Sequence, residues 1–397
     1  MAALLSIEEA LREILARVRP LPSEPVPLTS ALGRVLAADI RAVTDLPPFA
    51  SSAMDGFAVR AADTPGRLPV VERIAAGGSA TRALAAGEAM GIATGAPVPE
   101  GADAVVPVEY VVNHENSVEI AGSVEAGTHV RPRGGDLRAD DIVLAAGTRL
   151  GAPQIGAAAA AGAGQVACAV RPRAAVISTG SELRRPGEPL ADGQIFESNG
   201  FMLAAALASV GATVLPLASV ADDEAAHRAA IERGLDADVL VTSGGVSVGP
   251  HDLVRRIEAD LGVEEVFWRV SVKPGKPISF GVRGGTLVFG LPGNPVSSLV
   301  CFELFVRPAV LALQGASDPG PTFWLGELAA SVKRNDERDQ LLRARLHTDA
   351  ARVVLEPLRG QESHMIARTA GADALALVPR GEGMLEAGAA VRYLRLG

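Results

Sequence analysis

The sequence predicts a multidomain α/β plus β protein. It has a central doubly wound α/β domain, a β-rich domain ahead of it and a C-terminal β-barrel or sandwich. Three observations predict this. Between residues 172 and 315, apolar β-branched runs alternate with helical segments. From 68 to 141, short β-like runs are broken by Gly, Pro and Asn. After the turn-rich stretch 316–321 the β runs return. A chain of 397 residues has room for about two to four domains.

The elements follow in order. Ser6-Ile7-Glu8-Glu9 is a capping box, with Leu11, Ile14, Leu15 and Val18 behind it at helical spacing and Pro20 as the stop. Strands are expected near 69–74, 104–112 and 118–121. The Ala/Gly-rich stretch 151–164, opened by Pro153, reads as a closely packed helix. In the central region strands at 174–178, 212–220, 239–242 and 287–290 alternate with helices at 199–210, 223–235, 252–261 and 295–313. C-terminal strands are expected at 324–332, 341–347, 352–357, 374–378 and 390–396.

Composition narrows the function. Hydrophobic residues make up 48% of the chain, enough for packed cores. No apolar run approaches the roughly 20 residues that span a bilayer. The start, Met-Ala-Ala-Leu-Leu-Ser, lacks a basic n-region and long apolar stretch, so no signal peptide is expected. Cys168 and Cys301 make no disulfide framework, and a cytoplasmic protein is expected. The net charge of −9 argues against a general nucleic-acid or membrane partner. Any anion site must be local.

The run Val-Leu-Val-Thr-Ser-Gly-Gly-Val-Ser-Val-Gly-Pro-His-Asp, ending at Asp252, is the most informative. It has the shape of a buried parallel strand opening at its carboxyl end onto a ligand. Gly244, Gly245 and Gly249 let the backbone come close to a bound group. Free N–H groups there, ahead of a helix, suit an anion. Asp252 conflicts with a bare anion, and a magnesium ion between carboxylate and phosphate resolves the conflict.

The chain has only three lysines, Lys273, Lys276 and Lys333, among 37 basic residues. Two of them fall in Lys273-Pro-Gly-Lys276-Pro, which points to an anion site that needs compact ammonium groups. Ser178-Thr179-Gly180-Ser181-Glu182 places hydroxyls and a carboxylate at a strand end. Asp222-Asp223 follows another strand, where it can cap a helix or bind a metal. Gly290-Leu-Pro292-Gly-Asn294-Pro295-Val-Ser297-Ser298 opens a helix.

Together with Ser52-Ala-Met-Asp55-Gly and Thr94-Gly-Ala-Pro-Val-Pro-Glu-Gly-Ala-Asp103, these segments resemble the molybdopterin molybdenumtransferases. These are MoeA-like proteins related to the gephyrin E-domain. The segments stand in the family's order and spacing over essentially the whole chain. The sequence departs from the usual family pattern at Ala50, Ser51 and Ser181, and in Gln361-Glu-Ser-His-Met365.

The resemblance implies four domains. These are a discontinuous first domain (1–20 and 142–171), a β-rich second domain inserted into it (21–141), the α/β molybdopterin-binding domain (172–317) and a C-terminal β-barrel (318–397). It implies a homodimer with a cleft between the third and fourth domains of one subunit and the second domain of the other. It also implies molybdenum insertion into adenylylated molybdopterin, with release of AMP. Lys273, Lys276, Arg269, Arg343 and Ser363 would supply donors to molybdate. Gly244, Gly245 and Ser247 would approach the pterin-side phosphate. Ser178, Thr179, Gly180, Ser243, Pro292, Asn294, Pro295 and Ser297 would complete the binding surface. Asp222 and Asp252 would hold magnesium. Asp55 and Thr94 would come from the partner, and Glu182 from the α/β domain. Other proteins of molybdenum cofactor biosynthesis are possible partners. A molybdopterin adenylyltransferase-like activity and a non-catalytic gephyrin-like scaffold are the alternatives. The adenylyltransferases consist of the α/β domain alone, and the intact carboxylates argue against a scaffold.

Overall fold

The computed structural model describes residues 4–220, 223–245, 253–349 and 352–396. The helix Ile7–Leu15 starts at the expected capping box. Ser6 Oγ accepts from Glu9 N at 3.1 Å, and Glu9 Oε2 accepts from Ser6 N at 2.8 Å. Its apolar stripe, Ile7, Ala10 and Ile14, lies in one core with Val176, Val241 and Phe305. This helix therefore packs into the α/β domain and not with 142–171 as expected. A short amphipathic helix needs a large apolar neighbour, and the α/β core supplies it.

Residues 23–41, expected in the insertion, pair with the other side of it. Ser23–Pro27 runs antiparallel to Gln165–Ala169, and Ile40–Arg41 to Ile142–Leu144. Val26, Leu36 and Ile40 share a core with Leu150, Ala158 and Val166. The Ala-rich helix Ala152–Ala160 packs in the same small unit. The inserted part thus begins after Arg41. It is built on a six-stranded sheet in the order Ala104–Pro107, Gly56–Val59, Ala89–Ile92, Gly66–Ile74, Ser117–Ile120, Val111–Asn113.

The α/β sheet has seven strands. Its main path is Thr213–Val214, Arg173–Thr179, Val239–Ser243, Thr286–Leu291, Ser279–Arg283, Glu264–Trp268, and Ala218–Val220 also pairs with Arg173–Thr179. Side chains alternate between its two faces: Val239 and Val241 enter one core, Leu240 the other. Burial on both faces is why these strands read as unbroken apolar runs. Ser279–Arg283 and Glu264–Trp268 were not expected. The first is antiparallel to Thr286–Leu291, and the second antiparallel to the first.

The expected helix 295–313 is Pro295–Cys301, a wide π turn over Phe302–Val306, then Arg307–Leu313. Pro308 has no N–H for the preceding turn, and the wide turn accommodates the gap. This helix is long and apolar enough to cross a membrane, although Ser297, Ser298, Glu303 and Arg307 interrupt its apolar run, and 78% of its most apolar stretch is buried within the fold.

Five strands close the C-terminal barrel in the order Asp339–Asp349, Arg352–Pro357, Trp324–Leu328, Ala390–Arg395, Ala374–Val378, the last pairing back to the first. This decides for a barrel over a sandwich. The α/β domain adds a short strand of its own, Val272–Lys273, parallel to Asp339–Gln340.

Candidate active site

Four parallel strands of the α/β sheet end level. Ser178 pairs with both Ser219 and Ser243, and Ser243 with Leu291, so the connections behind them open on one rim. Gly244 (φ +95°) and Gly245 (φ +71°) are left-handed. A Cβ on Gly244 would stand 2.7 Å from Thr179 Oγ1, so only glycine fits beside that turn. Thr179 Oγ1 itself donates to Ser243 O at 3.3 Å.

Asn199, which the sequence reading missed, ties the rim together. Its Nδ2 donates to Ser243 Oγ at 2.8 Å and to Gly293 O at 2.7 Å, while its Oδ1 is buried without a partner. The Glu-Ser-Asn-Gly run before a helix was the available signal. Glu197 Oε1 accepts from Ser178 Oγ at 3.1 Å and from Gly200 N at 2.7 Å. Pro292, Asn294 and Pro295 form the neighbouring connection. Pro292 O accepts from Ser298 Oγ, and Asn294 is the N-cap residue without a side-chain cap bond. Glu182 is exposed, and its carboxylate lies against Gly180.

Beside this rim a cleft of about 530 Å³ separates the α/β domain from the barrel. Lys273, Lys276, Ser297 and Ser363, four of the residues singled out from the sequence, all line it. Gly275 lets the lysine loop lie close to the helix behind it. A Cβ there would stand 2.7 Å from Cys301 Sγ, whose thiol is pushed above its usual range by burial. Ser363 O accepts from Val296 N at 3.0 Å, which fixes the barrel loop on the helix start. Arg338 and Gln340 also line the cleft. They lie in a charged run without a motif, so no local pattern marks them.

Two expected donors do not reach it. Arg343 is fully buried, and burial lowers its pKa from the ordinary arginine value. Its Nη1 donates to Met365 O at 2.6 Å and Thr369 Oγ1 at 3.0 Å, and its Nη2 to Gly360 O at 2.6 Å and Glu362 O at 3.2 Å. The guanidinium holds the loop that carries Ser363 instead of facing ligand. Arg269, in a left-handed conformation (φ +80°), stacks its Cζ 3.6 Å from the Trp268 ring centroid. Asp222, Ser247 and Asp252 lie outside the described residues.

Asp55 and Thr94 meet each other on the inserted domain: Thr94 N donates to Asp55 Oδ1 at 2.8 Å. The two loops are laced further by Gly95 N to Ser52 O at 2.8 Å and Ser52 N to Ala96 O at 3.0 Å. Gly56 is forced, since a Cβ would collide with Val106 O. Among the described residues, no hydrogen bond or ion pair joins Asp55 or Thr94 to the α/β rim. The departure at Ser51 is a buried side chain on the short ladder to Arg131.

Residues 5–162 match the MoeA N-terminal region (domain I and II), 175–312 the probable molybdopterin binding domain, and 326–396 the MoeA C-terminal region (domain IV). A molybdopterin molybdenumtransferase of Synechococcus elongatus is 36% identical over 408 residues, covering 99% of this chain and 100% of that protein. The chain belongs to the MoeA family. A second MoeA relative, molybdopterin molybdenumtransferase 2 of Mycobacterium tuberculosis, is 42% identical over 364 residues, covering 88% of this chain and 89% of its own. The crystal structure of the MoeA protein of Pyrococcus horikoshii OT3 agrees with a TM-score of 0.85 at 27% identity, over 99% of this chain and 100% of that one. The MoeA match runs through both the rim and the barrel that together form the cleft.

Proposed function

We propose that the chain transfers molybdenum from molybdate to adenylylated molybdopterin, a late step of molybdenum cofactor biosynthesis, releasing the cofactor and AMP. The single observation that supports this most is the cleft. It gathers Lys273, Lys276, Ser297 and Ser363 beside a rim of glycine turns suited to a phosphate. Molybdate is a tetrahedral dianion, and two ammonium groups with hydroxyl donors match it in charge and geometry. The dithiolene that takes up the metal belongs to the substrate, so no cysteine cluster is needed. The cleft needs the barrel as well as the α/β domain, which favours insertion over adenylyl transfer.

The test is AMP release from adenylylated molybdopterin with and without molybdate. Release should require molybdate. Lys273→Arg or Lys276→Arg should raise the molybdate requirement severalfold, because a planar fork replaces a point charge. Molybdate-independent release would point to a hydrolase, and no release to a scaffold.

Asp222 and Asp252 are proposed to hold magnesium. The strands before them, Ala218–Val220 and Val239–Ser243, both run parallel to Arg173–Thr179 and end on one rim. Hard carboxylate oxygens suit that ion, which when bound stabilises charge on the departing phosphate.

Asp55 and Thr94 lie on the inserted domain, and a second copy of the chain is proposed to bring them to the cleft. Mixing an Asp55→Ala chain with an Asp252→Ala chain should then restore partial activity, since one cleft of the mixed dimer keeps both groups. No recovery after verified subunit exchange would count against the composite site.

A further inference from the structure

All three lysines of this arginine-rich chain face one region. Lys273 and Lys276 line the inner cavity already described, and Lys273 and Lys333 line an adjoining one of about 470 Å³. The outer cavity is walled by the two segments that run on from the short antiparallel ladder of Val332–Lys333 with Met384–Leu385, namely Lys333 to Asp336 and Gly381 to Gly383. Lys273 and Gln340 stand between the two cavities and line both. We propose that the outer cavity is a second tetrahedral-oxyanion site, in series with the inner one, where free molybdate is loaded. The proposal rests on the molybdate reading above.

Gln340 is the independent pointer to a ligand. It is 8% exposed, and its Oε1 is buried without a partner. Half a turn of the terminal amide exchanges oxygen for nitrogen and presents N–H donors at the junction. An unpaired amide there is costly unless something passing between the cavities bonds it. Arg334 is held in place from behind: its Nε donates to Pro379 O at 3.1 Å and its Nη2 to Arg380 O at 2.5 Å. Gly381 leaves room for that guanidinium, since a Cβ there would collide with it. Among the described residues, Lys273, Lys276, Lys333 and Arg334 form no ion pair, so their charge is available to an anion.

The charges are graded. The outer cavity sets Lys273, Lys333 and Arg334 against two exposed carboxylates, Asp336 and Glu382. The inner one sets Lys273, Lys276 and Arg338 against Glu362 alone. A dianion is therefore attracted weakly outside and more strongly inside, the order that captures it and passes it on. Lysines suit this better than arginines, because a point charge on a flexible stem holds without locking a bidentate geometry.

The test is calorimetric titration of the full chain with molybdate alone, and separately with AMP. The parent should bind two molybdate ions per chain. Lys333→Gln should weaken the looser site roughly tenfold or more and leave the tighter one intact, since a charge-assisted partner is lost. Lys276→Gln should do the reverse, and Lys333→Arg should keep most of the outer binding. AMP affinity should be the same in Lys333→Gln as in the parent. A single molybdate site indifferent to Lys333→Gln overturns the outer site and leaves the proposed function standing. Loss of AMP binding with molybdate unaffected overturns it too, assigning the cavity to the nucleotide phosphate. No molybdate binding by the parent removes both readings.

Discussion

Asp222→Asn and Asp252→Asn should each slow single-turnover AMP release on the order of a hundredfold or more, and weaken pterin binding much less. A carboxylate beside a phosphate repels it, and a shared divalent cation reverses that sign. Its benefit is greatest where charge develops on the leaving phosphate, so the loss falls on the chemical step. The supporting geometry is the common rim: Ala218–Val220 and Val239–Ser243 leave the sheet in the same direction. The neighbouring Asp223 is committed elsewhere, since its Oδ1 accepts from Ala226 N at 2.8 Å and caps a helix. It cannot replace its neighbour without freeing that cap. The measurement is a rapid-quench time course with magnesium titrated. Full rates in both variants, or a parent indifferent to chelator, would sink the metal assignment.

Arg343→Met should destabilise the barrel by about 4 kcal/mol or more, since each of the buried acceptors it leaves unpaired costs about 1–3 kcal/mol. The guanidinium reaches four oxygen acceptors between Gly360 and Thr369, and methionine satisfies none of them. The backbone of Arg343 stays pinned by Gln361, whose amide both donates to its carbonyl and accepts from its N–H. The damage should therefore concentrate in the loop around Ser363 and not in the strand. Hydrogen exchange is the direct readout: faster exchange over 358–371, with the α/β strands unchanged. Arg343→Lys should fall between parent and Arg343→Met. Parent-like protection in Arg343→Met would return this residue to a ligand-facing role.

The parallel strands and their helices were legible because two-sided burial writes continuous apolar runs into Val239–Ser243 and Thr286–Leu291. Glu264–Trp268 and Ser279–Arg283 were not, since their sequences mix Glu, Arg and Gly with apolar residues on the antiparallel side of the sheet. Ser23–Pro27 was lost for a different reason. Two prolines mask its strand character, and its partner Gln165–Ala169 lies far along the chain. The lysine loop was legible from composition alone. Arg343 was misread because a cation near a site suggests a ligand, and only coordinates show both its terminal nitrogens committed to three backbone carbonyls and the Thr369 hydroxyl. Arg338 and Gln340 carry no pattern at all. Their role comes from facing Lys273 across a domain boundary.

That boundary has a mechanical consequence. Val272 and Lys273 leave the α/β sheet and lie as a rung on the barrel, opposite Asp339 and Gln340. The two halves of the cleft are thus stitched along its floor by main-chain bonds. They cannot separate as two bodies on a tether without breaking this ladder. Any widening to admit a bulky substrate must swing about that seam, like covers about a spine, with the lysine pair staying nearest the pivot.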